Sequence, residues 1–162
     1  MKQAIIPFSY EIVESAELLP GPEWQLLRKA QEMTHNAYAP YSQFFVGAAL
    51  LLRNGKIVMG TNQENASSPA GLCAERVALA AAASLHPGIS LLMMAITHFN
   101  NGTGKSEQPI APCGICRQSL LEYEINQQQP IRLILGALNG EVLLISSVKS
   151  LLPLSFSGAD LK

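Results

Sequence analysis

Two short stretches carry the residues best equipped for chemistry, GLCAERVALAAAAS (71–84) and APCGICRQ (111–118). Cys113 and Cys116 are three apart, so on a helix they share a face and can grip one ion. Pro112 precedes them, and proline suits the first turn of a helix. A thiol at the positive end of a helix dipole ionises readily. Cys73 stands in the same relation to its own alanine-rich helix. A C-x-x-C pair alone is ambiguous between a redox dithiol and a zinc knuckle. A redox dithiol has no use for Cys73. A structural zinc site takes four protein ligands, and the chain's cysteines number three. His98 or His86 would have to complete it, yet neither neighbours a cysteine in sequence. A lone histidine on an apolar segment, as His98 is, reads as a satisfied core residue. Three ligands leave a fourth position for water, which is the arrangement of catalytic zinc.

Glu75 fits that reading. A zinc-activated water needs a base to take its proton and an acid to return it. Two residues beyond Cys73, a carboxylate can reach the water without binding the metal, provided that Cys73 sits at the helix edge. The plainer role for Glu75 is a first-turn acid that stabilises the helix dipole, which leaves the cysteines unexplained. Three thiolates on Zn²⁺ carry a net negative charge, which opposes ionisation of the water. Arg76 can offset it by donating to a sulfur. Arg117 is as well suited to that task as to a surface ion pair.

These groups need a frame. Residues 1–21 read as an extension, and a helix follows from Pro22, with loose periodicity through Trp24, Leu27, Gln31 and Thr34 or His35. FFVGAALLLRNGKIVMGTN is two apolar runs around Asn54-Gly55, a hairpin signal, and IRLILGALNGEVLLISS repeats it around Asn139-Gly140. Both turns are expected to hold two residues. ISLLMMAITHF reads as a buried strand between the two cysteine-bearing helices. The order helix, strand, strand, helix, strand, helix, strand, strand predicts an α/β domain over 22–162. Its single mixed five-stranded sheet is sandwiched between helices, with the last two strands antiparallel.

With 162 residues, the chain suits one domain with a real core. Its net charge of −1 offers no basic face to a nucleic acid. No run approaches the roughly 18 apolar residues of a membrane span. MKQAIIPFSY is too short and too broken by Pro7 for a signal peptide. Few, unpaired cysteines fit a cytoplasmic location. Charged residues are only 14% of the chain, against about 25% in an average soluble protein, which predicts an oligomer.

CAER followed by PCGICRQ resembles the zinc-dependent cytidine deaminases of nucleoside salvage, a chemistry already described as a three-cysteine site with a non-ligand glutamate. NAYAPYSQFFVGAALL, GTNQENAS and LLPLSF resemble further segments of that family, in the right order. The resemblance implies one Zn²⁺ per chain on Cys73, Cys113 and Cys116, with Glu75 as proton shuttle. It implies that Asn62 and Glu64 hold a ribose hydroxyl, that Phe44 lies near the base, and that the Ala74 amide lies near the base and its attacking water. It also implies a homotetramer in which Phe156 reaches into a neighbouring subunit's site, and a pyrimidine nucleoside as substrate. Ser68 stands where the family usually has an aromatic, and Ala70 where a larger apolar residue is common. Both changes predict space beside the pyrimidine, unless Phe45 or another subunit fills it, and so tolerance of substituents on the 4-amino group. A blasticidin-type deaminase shares the chemistry with a bulkier substrate. A non-catalytic zinc-stabilised binding module would need a fourth protein ligand. A polynucleotide deaminase would need a basic strand-binding surface.

Overall fold

The computed structural model describes residues 1–101, 108–137 and 139–161. The elements run β1 (Glu11–Val13), α1 (Gly21–Met33), β2 (Phe44–Leu52), β3 (Ile57–Thr61), α2 (Ala74–Leu85), β4 (Leu91–Asn100), α3 (Gly114–Gln127), β5 (Arg132–Gly136) and β6 (Val142–Ile145). They form one sheet in the order β1-β6-β5-β4-β2-β3. β4 and β5 are parallel, because α3 carries the chain back across the sheet between them. The last two strands are antiparallel, as expected.

Among the described residues the sheet has six strands rather than five. The sixth, β1, comes from the N-terminal extension and pairs Ile12 with Leu143 at the β6 edge. Three residues are too few to show a period of two, so composition gave no sign of it. Arg132 ties this strand to the body through Glu23 on α1 (2.7 Å) and Glu11 (3.8 Å). Both Asn-Gly pairs do lie in hairpin connections, with Gly55 and Gly140 at φ of 80° and 105°. The first loop is longer than two residues, spanning 53–56, and part of the second connection, between Gly136 and Val142, lies outside the described residues. The Leu52 amide bonds to the Lys56 carbonyl and closes the first.

Strand alternation splits the core into two layers. Ala48, Leu50, Met94, Ile96, Leu133 and Leu135 face α2 and α3. Ala49, Ala95, Ile134 and Leu144 face α1. The buried residues of α1 are Glu23, Leu26, Leu27 and Ala30; of the side read from spacing, Leu27 and Thr34 are buried, whereas Trp24 and Gln31 are only half-buried. A segment after β6 is held by Glu124 of α3, a buried carboxylate. It accepts from the amides of Ile131 (2.7 Å), Val148 (2.9 Å) and Lys149 (3.3 Å), and from the Ser147 hydroxyl.

Gly60 on β3 brings the start of α2 down onto the sheet. A Cβ there would stand 2.4 Å from the Ala74 carbonyl and 2.5 Å from the Ala78 amide nitrogen, both backbone atoms that cannot swing aside. Gly60→Ala is therefore expected to push the start of α2, with Cys73 and Glu75, off the sheet. It should destabilise the fold by about 1–3 kcal/mol and lower zinc content and turnover together, read by thermal unfolding and metal analysis.

Candidate active site

Cys73 and Cys113 occupy the N-cap positions of α2 and α3, in extended backbone. Each carbonyl accepts the first helical hydrogen bond, from Val77 (3.1 Å) and Arg117 (2.9 Å). Neither cap residue bonds a first-turn amide through its side chain. The free amides and the helix dipoles therefore remain available to favour thiolate. Cys116 follows within the first turn of α3 and is fully buried.

The Sγ of Cys113 lies 3.7 Å from that of Cys73 and 3.5 Å from that of Cys116. All three sulfurs lie within 4.8 Å of one another. These distances are too long for disulfides, which need about 2.05 Å. They match a tetrahedral zinc, whose Zn–S bonds of about 2.3 Å place sulfurs about 3.8 Å apart. Soft thiolates are also the donors zinc prefers. Neither His98 nor His86 joins the group among the described residues, so no fourth protein ligand closes it. The Cys73 thiol is pushed down to about 6, chiefly by the neighbouring Cys116 thiol, with the Arg76 charge acting the same way. Cys116 is pushed up by the same neighbour and by burial.

Cys73 and Cys113 line a cleft of about 830 Å³. Glu75 and Ala74 line it from α2, Phe44 and Val46 from β2, and Asn62, Glu64 and Ser68 from the loop before α2. Glu75 is only 4% exposed, and burial holds its carboxyl above the usual carboxylate range. The loop is fixed by paired backbone bonds between Gln63 and Leu72, and by bonds from Tyr38 to Asn62 and from Glu64 to Tyr38. Asn62 spends its side chain on β2, accepting from the Val46 amide and donating to the Phe44 carbonyl, both at 2.8 Å. Glu64 accepts from the amides of Tyr41 (2.9 Å) and Ser42 (3.3 Å). Hydrogen bonds from the Ser42 hydroxyl and the Tyr41 amide hold its pKa down, so it stays ionised.

Other expected residues fall elsewhere. Phe156 is exposed and does not line this chain's own cleft; its carbonyl accepts from Gln118. Ala70 lies in the short turn with Ser68 but outside the cleft lining. Phe45 points to the opposite sheet face and stacks on Phe99, so it cannot fill the space beside Ser68. Among the described residues, Arg117 donates to the carbonyls of Pro112 (2.8 Å) and Leu151 (3.0 Å) rather than to an acidic partner or a sulfur. His98 is buried as expected, but its Nδ1 has no hydrogen-bond partner among the described residues. Tyr41 and Ile115, both exposed on the cleft wall, escaped the sequence reading, since nothing in their spacing marks them.

Among the described residues, no helix is long and apolar enough to cross a membrane. The chain matches the cytidine and deoxycytidylate deaminase zinc-binding region over residues 22–129. It is 36% identical over 138 residues to the cytidine deaminase of Halalkalibacterium halodurans, covering 84% of this chain and 95% of that one. The crystal structure of cytidine deaminase from Burkholderia pseudomallei aligns with a TM-score of 0.69 at 38% identity, covering 82% and 97% of the two chains. Blasticidin-S deaminase from Bacillus cereus is 26% identical over 113 residues, 69% of this chain and 76% of that one. Matches of this extent, with three sulfurs spaced for the zinc of the matched region, make this chain a member of the cytidine and deoxycytidylate deaminase family.

Proposed function

We propose that this chain removes the 4-amino group of cytidine and deoxycytidine by hydrolysis, giving the uridine and ammonia. The observation that carries this is the three-sulfur cluster without a fourth protein ligand among the described residues, opening on a cleft beside buried Glu75. Zinc, when bound by Cys73, Cys113 and Cys116, supplies Lewis-acid activation of water near neutral pH. Glu75 takes a proton from the attacking water and delivers it to N3; it then takes the second proton from the hydroxyl added at C4 and passes it to the 4-amino nitrogen, which leaves as ammonia as the C4 carbonyl forms. Burial raises the affinity of Glu75 for a proton, which suits a group that takes up a proton and hands it on. Phe44 is assigned to the wall of the base and the Ala74 amide to a hydrogen bond with the base and its attacking water, a reading supported by both residues lining the cleft. The ionised Glu64, held by Tyr41 and Ser42, accepts from a ribose hydroxyl, and Asn62 shapes that corner through β2. Arg76 offsets the charge of the thiolates. A panel of nucleosides scored for loss of the 4-substituent tests the reading; a protein inert to every 4-amino pyrimidine nucleoside would sink it.

We read the assembly as a homotetramer of the cytoplasm, with 1–21 as extension and 22–162 as catalytic domain. The support is the low charge, exposed Tyr41, Leu72 and Ile115 at the cleft, and exposed Ala80 and Ala83 on α2. Phe156, exposed here, would complete a neighbour's site. Mixing Glu75→Gln chains with Phe156→Ala chains is expected to recover activity, since some mixed sites hold both wild-type residues. Light scattering reads the assembly, and absence of recovery after demonstrated subunit exchange counts against sharing.

A specific observation also favours wide substrate tolerance: Ser68, a small side chain, lines the cleft wall, and Phe45 does not fill the space. Wild type is expected to accept 4-N-alkyl cytidines that Ser68→Tyr rejects, while both turn over cytidine. A large aromatic contributes about 0.5–1.5 kcal/mol of contact beyond its area, so Ser68→Tyr should bind cytidine somewhat more tightly. Equal rejection of the substituted series by both proteins would show the space is filled in the assembly.

A further inference from the structure

Behind Phe44 lies a buried histidine that the proposed reaction does not use. His98 sits on β4 opposite Val46. Phe44 is two residues along β2 on the same face, which makes it the diagonal neighbour that an aromatic ring can reach. The two rings stack with centroids 4.9 Å apart and planes 19° from parallel. Phe44 and Val46 line the cleft, whereas His98 is 6% exposed and outside the lining. It therefore forms a layer beneath the cleft wall.

The position is chemically odd. A buried polar atom without a partner is costly, and each such atom needs an explanation. An aliphatic side chain would fill the same space without that cost, as Ile96 does two residues earlier on the same strand face. Burial also pushes the His98 pKa below its usual value, so the ring is held neutral. What an imidazole supplies here that an aliphatic residue does not is a flat face for Phe44.

We propose that His98 is a positioning residue of the nucleoside cleft: its buried ring is the platform that holds the Phe44 ring in the orientation presented to the pyrimidine. The inference rests on the proposed deamination of cytidine. Without the platform, Phe44 must be ordered each time a nucleoside binds. Ordering one side chain costs about 0.5–1.5 kcal/mol, or about 2- to 13-fold in affinity. The effect belongs in KM, because Phe44 exchanges no proton with the reacting atoms.

The test uses full-length, zinc-loaded protein and cytidine. His98→Leu keeps an apolar side chain but loses the flat face; His98→Phe keeps the face and removes the unpartnered nitrogen. His98→Leu is expected to raise KM about 2- to 13-fold with kcat within about 2-fold of wild type. His98→Phe should restore the wild-type KM with an equal or higher Tm. In a Phe44→Leu background, His98→Leu should add nothing to KM, because the platform acts through Phe44. His98→Met makes the same contrast should His98→Leu fail to load zinc. An unchanged KM in the leucine variant, a phenylalanine variant no better than leucine, or additive effects in the double variant would each overturn the platform. Failure of the wild-type protein to turn over cytidine is a different result and overturns the proposed function itself.

Discussion

Glu75→Gln is expected to keep zinc and fold while lowering kcat on cytidine by at least about 10⁴-fold, the upper end for a general acid–base group. Glutamine matches glutamate in size, so the 4%-exposed position at the start of α2 is refilled without a cavity. Among the described residues, the group that could bind a metal consists of the three cysteines and excludes Glu75, so zinc content should stay at one per chain. What disappears is a site for a mobile proton. The carboxylate serves the water, N3 and the leaving nitrogen in turn, so its loss is felt in more than one step. Steady-state rates beside metal analysis and thermal unfolding separate the outcomes. Turnover within a few-fold of wild type would reduce Glu75 to a helix-end charge.

Removing the metal should have the second large effect. Cys116→Ala is the informative variant, because Cys116 is fully buried and alanine is an acceptable small apolar replacement at the foot of α3. Loss of one sulfur from the cluster should weaken zinc by more than about 10²-fold, since even outer-shell partners are worth 10–100-fold. Turnover should fall with zinc content. Bound metal stabilises the folded state by mass action, about 4 kcal/mol at a free concentration 1,000 times the dissociation constant. Chelation of wild type should therefore lower Tm, whereas Cys116→Ala should start low and respond little to chelator. A metal-free protein with full activity would overturn the assignment of the cluster to catalysis.

Local order made much of this protein legible from its residues alone. Cys113 and Cys116 share a helical face because i and i+3 always do, and the order of helices and strands follows from period and turn chemistry. The α/β class, the antiparallel last pair of strands and the three-cysteine ligand set could all be read that way. Contacts between distant segments could not. Cys73 is forty residues from Cys113, and only the packing of α2 and α3 on one sheet face brings their sulfurs to 3.7 Å. The close seat of α2 depends in turn on a missing side chain at Gly60, whose consequence appears only when backbone atoms of another element meet it. β1 has three residues and no period, so its place at the β6 edge is decided by pairing. Arg117 looked suited to a sulfur or an ion pair until the segment after β6 arrived to offer the Leu151 carbonyl. Phe44 and Phe45 are adjacent in sequence, and strand alternation alone says they face opposite sides. Which side holds the cleft, and that His98 lies beneath Phe44, follows from the register of β2 against β4, because the pairing of strands is set by the whole core rather than by either strand.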